Sequence, residues 1–339
     1  MQRTNGGLRR GAFAFSFALL VVAPGHAQVA GKSESRAGGF PAKAVRIIVG
    51  NAPGGANDIM GRLVAQRLNE AWGQPVIVEN RSGGSGVIAM ELAADANADG
   101  YTLLLSNSQM PTNMLLKKVK FDIRKAYAPV VQIAMQPYLV AVNPKLPVNS
   151  VQELIAYAKA KPGAISYGSP GVASPAHLGI ELFKVMTGTD MVHVPYKGNG
   201  PAMVDLMSGQ IQLLFGSAVS VAPQARSGKL KALAVTAPQR TQAMPELPTV
   251  AESGVPGYEL TNAYGLLAPA GTPPAVIALI NQQCNAITQA KDFRARLQND
   301  GVEASAPNTP AEYGQAIGRD IARLEKFFKT PGVSIDKFR

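Results

Sequence analysis

The sequence has 339 residues, 46% hydrophobic and 16% charged, so it can bury one large or two medium cores and is not disordered along most of its length. Its formal charge is +11, or +8 without the three arginines near the N-terminus, and this basic excess favours anionic small molecules. The basic residues are scattered without interleaved aromatic ones, which argues against nucleic acid as a partner. The single cysteine, Cys284, excludes an intramolecular disulfide and a cysteine-rich metal site.

The N-terminus has the layout of a cleavable export signal. Arginines precede an apolar run over residues 12–23, and small residues suited to a signal peptidase end at Ala27. The run is shorter than the roughly 20 apolar residues that cross a bilayer. We therefore predict a signal peptide at 1–27, a flexible lead-in at 28–40 and an exported mature protein.

After the lead-in, apolar strand-like runs alternate with amphipathic helix-like ones. The strand-like runs of a first series are VRIIVG, PVIVEN and YTLLLS, and those of a second are ISYGS, MVHVPY, IQLLFG and LKALAVT. Such alternation predicts an α/β class, with parallel strands covered by helices. The segments 141–150 and 244–258 fit crossings between domains. We predict a discontinuous domain 1 (41–142 plus 261–339) and an inserted domain 2 (143–260).

Three helix starts carry recognisable caps. Ser150 with Glu153, and Thr309 with Glu312, have the spacing of a capping box, in which a hydroxyl and a carboxylate each satisfy a backbone amide. Ser174 is followed by a proline, a residue favoured at the first helical position. We therefore expect helices to begin directly after Ser150, Ser174 and Thr309.

The stretch IIVGNAPGGANDIMGRL places two glycines between a strand-like run and a helix. A phosphate loop would need Lys and then Ser or Thr after its last glycine, but Gly55 is followed by Ala-Asn-Asp, and the glycines lack the dinucleotide-binding spacing. Free amides at the helix start and the helix dipole still favour an anion. Two interpretations stay open: an anion site at Pro53, Gly54 and Gly55, or a tight turn that Asn57 or Asp58 merely caps.

A second glycine- and serine-rich connection, SYGSPGVASPAHL, also leads into a helix. Ser169 and Ser174 offer hydroxyls to a ligand, although Ser174 is equally suited to be only a helix cap. The strand end LLLSNSQMP places Ser106 and Asn107 where ligands meet open parallel sheets. Two such helix starts in two α/β domains suggest a cleft that binds one anionic ligand from both sides.

The sequence argues against metal binding and catalysis. His177 and His193 have no histidine or carboxylate at metal-ligand spacing, and Ser85 lacks the final glycine of a nucleophile elbow. His177 lies one turn into its helix, where it either borders the cleft or is packed as a structural residue. We expect no metal, no cofactor and no enzymatic activity. A periplasmic hydrolase with a serine, a histidine and an acid in contact is the less favoured alternative.

Several motifs resemble the solute-binding receptors of tripartite tricarboxylate transporters, often called Bug receptors. They occur in the family's order: VRIIVGNAPGGANDIMGRLVAQRL, PVIVENRSGGSG, DGYTLLL, AHLGIELFK, VHVPYKGNGPAMVDLMSGQI, LKALAVT, PTVAESGVPG and YGLLAPAGTP. The resemblance implies a type II periplasmic-binding fold, in which two α/β domains close on a ligand, a periplasmic location and no chemical turnover. It also implies delivery of a small carboxylate to a membrane permease by a receptor that we expect to be a monomer.

The resemblance places ligand contacts in both glycine-rich loops, at Gly54, Gly55, Asp58, Ser169, Gly171 and Ser174. Two departures from the family pattern concern the ligand. Val172-Ala173 replaces a common Asn-Gly, and Gly216, next to Ser217, stands where relatives commonly carry Asp. Loss of that carboxylate removes a partner for a ligand ammonium and leaves room for a larger ligand. We therefore expect a dicarboxylate, a tricarboxylate or an aromatic carboxylate, the last favoured, rather than an amino acid.

The predicted ligand-binding residues are Pro53, Gly54, Gly55, Asn57, Asp58, Ser106, Asn107, Ser169, Gly171, Ala173, Ser174, His177, Gly216 and Ser217. A receptor that passes its liganded form to a sensor kinase, and not to a permease, would have the same fold and is the main alternative. A structural interaction module that binds no small ligand is a further one.

Overall fold

The computed structural model describes residues 39–339 except 52, 55, 117, 197, 242, 243, 331, 332, 334–337 and 339. The predicted signal peptide, nearly all of the lead-in and Gly55 of the first glycine-rich loop lie outside the described residues. Among the helices that the structure describes, none is both long and apolar enough to span a membrane.

Strands and helices alternate along the described chain, as the sequence pattern predicts. The elements up to residue 142 are β1 (Val45–Val49), α1 (Ala56–Trp72), β2 (Val76–Asn80), α2 (Val87–Ala94), β3 (Thr102–Ser106), α3 (Gln109–Leu115), α4 (Ile123–Ala126) and β4 (Tyr127–Val142). The next are α5 (Val151–Ala160), β5 (Ser166–Ser169), α6 (Pro175–Thr187), β6 (Val192–Pro195), α7 (Asn199–Ser208), β7 (Leu213–Ser217), α8 (Ala218–Arg226) and β8 (Lys231–Val235). The last are β9 (Thr261–Pro269), α9 (Pro274–Gln289), α10 (Lys291–Asn299), β10 (Glu303–Ala304) and α11 (Pro310–Phe328).

One long strand, β4, joins the two parts of the sheet. The strand order is β2-β1-β3-β9-β4-β7-β5-β6, and β8 and β10 also pair with β4. The first part of β4 pairs antiparallel with β9 and β10, whereas its last residues pair with β7 and β8. We call β1, β2, β3, β9 and β10 the first half-sheet, and β5, β6, β7 and β8 the second half-sheet. The predicted α/β class is confirmed, and the division into two domains stays a prediction.

Each half-sheet contains three strands that run parallel. In the first, β1 is parallel to β2 and β3, and in the second, β5 is parallel to β6 and β7. Parallel strands have their carboxyl ends at the same edge of a sheet, which is where ligands bind in open α/β folds. The loops after β1 and β3 therefore share one edge, and the loops after β5 and β7 share another.

Neighbouring residues of a strand pack on opposite faces of the sheet. In β1, Ile47 packs in a cluster with α1, α9 and α10, whereas Ile48 packs with α2, α3 and α11. In β7, Phe215 packs with α5 and α6, and Leu214 packs with α7 and α8. This burial on both faces explains why these strands are continuous apolar runs in the sequence.

The predicted caps of α5 and α11 are present, with one difference in partner. Thr309 Oγ1 accepts from Glu312 N at 3.2 Å, and the Glu312 carboxylate accepts from Thr309 N at 2.7 Å, which completes a capping box. Ser150 Oγ likewise accepts from Glu153 N at 3.1 Å. The Glu153 carboxylate, however, accepts from Asn149 N at 2.7 Å, so its partner is the residue before the predicted one.

Candidate functional site

Two sets of contacts bring loops of the two half-sheets together. Gln109 Nε2, at the start of α3, donates to Ala173 O in the connection between β5 and α6 at 3.3 Å. Ser217, at the end of β7, lines a cavity of about 230 Å³ together with Ala56 and Ile59 at the start of α1. Loops that follow β1 and β3 therefore lie beside loops that follow β5 and β7. This region is the candidate site.

Asp58 holds the loop between β1 and α1 in place. Its buried carboxylate accepts from Gly54 N, Arg62 Nε and Asn80 Nδ2, each at 2.9 Å. The Arg62 guanidinium lowers the pKa of this carboxyl to about 2, with help from the Gly54 and Asn80 donors and against the effect of burial. The carboxylate is ionised and satisfied, so it orders the helix start and offers no free group to a ligand.

Two residues of this loop that lie at the surface belong to its proline-glycine motif. Pro53 and Gly54 are exposed, and Gly54 has φ +83°, which a residue with a side chain rarely adopts. Asn57 is buried, and its side-chain amide donates to Asn51 Oδ1. Asn57 therefore belongs to the internal structure of the loop, whereas Pro53 and Gly54 lie at its surface.

At the end of β3, the side chains of Ser106 and Asn107 differ in their hydrogen bonds. Ser106 is buried, donates from Oγ to Gly265 O at 2.9 Å and is hydrogen-bonded to the Tyr313 hydroxyl. These bonds occupy the Ser106 hydroxyl within the fold, and contact of Ser106 with a ligand stays a prediction. Asn107 Oδ1 accepts from Gln109 N at 2.9 Å, but within the described part of the chain nothing accepts from its Nδ2. Asn107 lines a cavity of about 360 Å³ together with residues of α3 and α11, and this cavity shares no lining residue with the one that Ser217 lines.

The hydroxyls of the loop over residues 169–174 are used within the loop. Ser169 is wholly buried; its Oγ donates to Gly171 O at 2.9 Å and is 2.7 Å from His193 Nε2. Ser174 Oγ donates to Gly171 O at 2.8 Å and accepts from His177 N at 3.3 Å, so Ser174 is the cap of α6. The structure thus corrects the expectation that these two hydroxyls face a ligand. The serines shape the loop instead.

His177 is packed and not exposed to the cleft, which decides between its two predicted positions. The residue is 5% exposed, and its ring stacks on His193, with ring centroids 3.7 Å apart and planes 12° from parallel. Burial lowers the pKa of His177 to about 4, and the neighbouring His193 adds to the shift while Glu181 opposes it. The imidazole is therefore neutral at neutral pH. Its Nδ1 accepts from Ala173 N at 3.1 Å.

Gly216 does not open space for a ligand. A Cβ atom built at this position would lie 2.5 Å from Val221 Cγ2, because the position faces α8 in the core of the second half-sheet. This corrects the inference that the missing Asp side chain leaves room in the cleft. Ser217, the next residue, has its Oγ 2.8 Å from Ser220 Oγ and lies at the start of α8.

The contact between Ser169 and His193 meets one requirement of the hydrolase alternative but not the others. Ser169 has no exposed surface, and no carboxylate of a described residue hydrogen-bonds to His193. A substrate therefore cannot reach the hydroxyl, and the histidine lacks the group that would orient it. Among the described residues, no cluster of three or more His, Cys, Asp or Glu side chains is placed to bind a metal ion.

Sequence reasoning missed Gln109 as a site residue. This side chain joins the two half-sheets, since its Nε2 donates to Ala173 O and is also 3.2 Å from Asn113 Oδ1. Its position within the strand-end motif LLLSNSQMP, two residues after Asn107, was the available signal. No signal in the sequence indicated its partner Ala173, which lies 64 residues along the chain.

The family model described as the tripartite tricarboxylate transporter family receptor matches residues 60–332. The chain belongs to this receptor family. BugT of Bordetella pertussis is 38% identical to this receptor over 301 residues, which cover 87% of the receptor and 91% of BugT.

Solved structures of similar proteins agree with the family assignment. Rpa4515 of R. palustris, with adipate, is 36% identical with a TM-score of 0.77, and the match covers 87% of this receptor and 99% of Rpa4515. The periplasmic binding protein BugD is 30% identical with a TM-score of 0.74, over 87% of this receptor and 99% of BugD. These similarities confirm the predicted family and the predicted periplasmic-binding-protein fold.

Proposed function

We propose that this receptor binds a small carboxylate in the periplasm, between its two half-sheets, and delivers it unchanged to the permease of a tripartite tricarboxylate transporter. The observation that carries the proposal is the meeting of strand-end loops from both half-sheets, through Gln109 with Ala173 and through Ser217 with the start of α1. Membership of the receptor family supports it, and so does the adipate in the similar protein Rpa4515.

Backbone amides at helix starts are the donors that we assign to the ligand carboxylate. Both α1 and α8 begin at the candidate site, with Ala56 and Ala218 as their first residues. The first amides of a helix have no partner within it, and the positive end of the helix dipole adds attraction for an anion. We also assign the Asn107 Nδ2, from which no described residue accepts, as a side-chain donor at the end of β3. Without the three arginines of the predicted signal peptide, 30 basic and 22 acidic residues leave a formal charge of +8, which raises the rate of encounter with anions.

An aliphatic dicarboxylate is the ligand class that we favour. The preference for an aromatic acid rested on Gly216, Val172 and Ala173, but Gly216 faces α8 and Ala173 is wholly buried. Of the three, Val172 is the one that is exposed, at 47%. One exposed valine does not make an aromatic pocket, whereas donors from two half-sheets suit a ligand with a carboxylate at each end.

Capture by domain closure fits the connections between the half-sheets. The chain passes from the first half-sheet to the second through β4 and returns through residues 258–261, next to β9. With domain 1 at 41–142 plus 261–339 and domain 2 at 143–260, a ligand that contacts both edges would favour a closed state over an open one. The permease would recognise that closed state.

A thermal-shift panel tests the ligand class. We expect adipate and malate to stabilise the protein most, citrate and terephthalate less, and aspartate and glucose not at all. A ligand that binds only the folded state adds about 2.7 kcal/mol to the free energy of unfolding at a hundredfold excess over its Kd. Stabilisation by aspartate or glucose alone would contradict the proposal, and a larger shift with terephthalate would restore the aromatic class.

Asn107→Ala provides the site control for the same panel. Loss of one hydrogen bond to the ligand carboxylate should weaken binding about tenfold. Asn299→Ala, a change at an exposed position at the end of α10, should leave the affinity unchanged. Equal affinities of the two variants would show that the ligand does not contact the end of β3.

The permease is distinguished from a sensor kinase by the neighbouring genes. A tripartite transporter brings one large and one small membrane subunit, whose genes we expect beside the gene of this receptor. A sensor-kinase gene in their place would favour the sensing alternative, with the same ligand and the same closure.

A further inference from the structure

The loop over residues 169–174 contains a residue in an unfavourable backbone conformation. Ala173 has φ +60°, in the left-handed region that glycine or asparagine normally occupies. Its methyl group is wholly buried in a cluster with Leu178 and Phe327. A non-glycine residue keeps such a conformation only when its surroundings hold it there.

Two side chains hold the Ala173 residue from opposite sides. Ala173 N donates to His177 Nδ1 at 3.1 Å, and Ala173 O accepts from Gln109 Nε2 at 3.3 Å. His177 belongs to α6, which packs on the second half-sheet, whereas Gln109 belongs to α3, which packs on the first. The orientation of this one residue therefore decides whether its carbonyl meets the other half-sheet.

The bond from Ala173 to His177 resembles the second bond of a capping box. In that motif a side chain in the first turn of a helix reaches back to a backbone amide that precedes the helix. Here the imidazole takes the place of the usual Glu or Gln carboxylate or amide, and Ser174 Oγ supplies the other bond of the motif by accepting from His177 N. The sequence shows no capping box at this helix, because the acceptor is a histidine.

The His177 ring is held by packing against two aromatic rings. It stacks on His193, and Phe338 contacts it with ring centroids 5.2 Å apart. His193 is stacked in turn on Tyr167, at 5.0 Å. Because the ring cannot rotate freely, Nδ1 stays directed at the Ala173 amide.

We propose that His177 is a positioning residue for ligand binding, whose Nδ1 holds Ala173 in the backbone conformation that docks the loop over residues 169–174 against α3. The inference rests on the proposed function, since the loop borders the region assigned to the ligand. The role differs from direct contact, because the imidazole is buried and acts through the backbone. Without the acceptor, Ala173 relaxes to an ordinary conformation and its carbonyl leaves Gln109.

Two substitutions separate the acceptor from the ring. His177→Asn places an amide oxygen near the position of Nδ1 and removes the ring, whereas His177→Phe keeps a ring and removes the acceptor. Phe183→Leu is the matched control, because it changes a buried side chain in the same helix that lies in the core of the second half-sheet. Its expected effect is on stability alone.

Calorimetric titration with adipate as the probe gives the first measurement. We expect His177→Phe to bind adipate about tenfold more weakly than the wild type, and His177→Asn to stay within about threefold. Phe183→Leu should unfold at a lower urea concentration with unchanged affinity. Wild-type affinity in His177→Phe, or equal losses in both His177 variants, would overturn the proposal.

Hydrogen exchange of the Ala173 amide in the ligand-free protein gives a measurement that needs no ligand. The amide should be protected in the wild type and in His177→Asn, and should exchange at least tenfold faster in His177→Phe. If the wild type binds no acid of the panel while the amide is protected as expected, the proposed function fails and the assignment of the loop stands. An amide that exchanges equally fast in all three proteins would overturn the role of His177.

Discussion

A single carboxylate at position 58 organises the entrance to α1. Asp58 is 3% exposed and receives three donors, from the loop before it, from the next turn of its own helix and from the end of β2. Hydrogen bonds to a charged group are stronger than those between neutral groups. Asp58 therefore connects the glycine-rich loop to α1 and to the end of β2.

Asp58→Asn should destabilise the receptor by about 1.5–3 kcal/mol at pH 7, because an amide cannot satisfy three donors as a carboxylate does. Asp292→Asn is the control: this carboxylate is exposed and pairs with Arg67 at the surface, so we expect a much smaller change than in Asp58→Asn. Urea unfolding measures both. Equal midpoints for the two variants would contradict the structural role of Asp58.

The pH dependence of this difference has a definite sign. The pKa of Asp58 is lowered from 3.8 to about 2 in the folded state, so its contribution to stability is complete above pH 3.8 and is lost as the pH falls through about 2. The gap between the wild type and Asp58→Asn should therefore narrow below pH 4. A gap that stays constant down to pH 2 would show that the charge is not the cause.

The sequence did not predict the hydrogen-bond partners of some single residues. The glycine-rich loop and the cap at Ser174 are local patterns, and both are present. The hydroxyls of Ser106 and Ser169 are bound by Gly265 and His193, which are distant in sequence. A pattern of neighbouring residues identifies a hydroxyl at a strand end, but not the partner that the fold places beside it.

At the scale of elements, the starts of helices were predictable and the longest strand was not. The caps at Ser150 and Thr309 are local and carry their own signal. Strand β4 contains Pro129 and Pro137 and has register shifts in its pairing with β9. Proline inside a run argues against a strand, and irregular pairing interrupts the alternation of inward and outward residues. Only the partners β7, β8, β9 and β10 make this segment a strand.

Helix α6 packs against the returning chain through a glycine. A Cβ at Gly179 would lie 2.2 Å from Leu260 Cδ2, and Tyr258 donates its hydroxyl proton to Gly179 O at 2.9 Å. Leu260 is 9% exposed, so it has little space into which to move. The absence of a side chain at position 179 therefore lets residues 258–260 lie directly on α6.

Gly179→Ala should lower the free energy of unfolding by about 1–2 kcal/mol, since the overlap with Leu260 outweighs the better helix propensity of alanine. Gly318→Ala is the matched control in α11, where nothing lies within 4 Å of the added Cβ. That change should raise stability by about 0.5–1 kcal/mol. Urea unfolding of both variants measures the effects, and a stabilised Gly179→Ala would contradict the close approach.

At the scale of the whole molecule, stability in mild acid depends on groups that change charge between pH 7.5 and 5. Burial lowers the pKa of His177 to about 4 and also lowers the pKa of His193. Burial raises the pKa of the Asp320 carboxyl, against the effect of Arg323. The two histidines bind protons more readily when the chain is unfolded, whereas Asp320 binds one more readily when it is folded.

These opposite signs predict a net loss of stability on acidification. A histidine with a pKa of 6.5 in the unfolded chain and about 4 in the fold contributes about 2 kcal/mol at pH 7.5 that is lost by pH 5. Urea unfolding at pH 7.5, 6.5, 5.5 and 5 should show this decline in the wild type. His177→Asn should flatten it, because the variant has no proton to take up at this position.

Asp320→Asn removes a carboxyl whose pKa is raised in the fold, so the stability of this variant should fall faster than that of the wild type as the pH approaches the ordinary carboxyl range. Across pH 7.5 to 5 most carboxylates stay ionised in the unfolded chain, so the comparison in this range reports on the histidines. A wild type as stable at pH 5 as at pH 7.5, together with an unchanged slope in His177→Asn, would mean that His177 takes up its proton without loss of the fold. The buried bond from Ala173 N to a neutral Nδ1 leads us to expect the opposite.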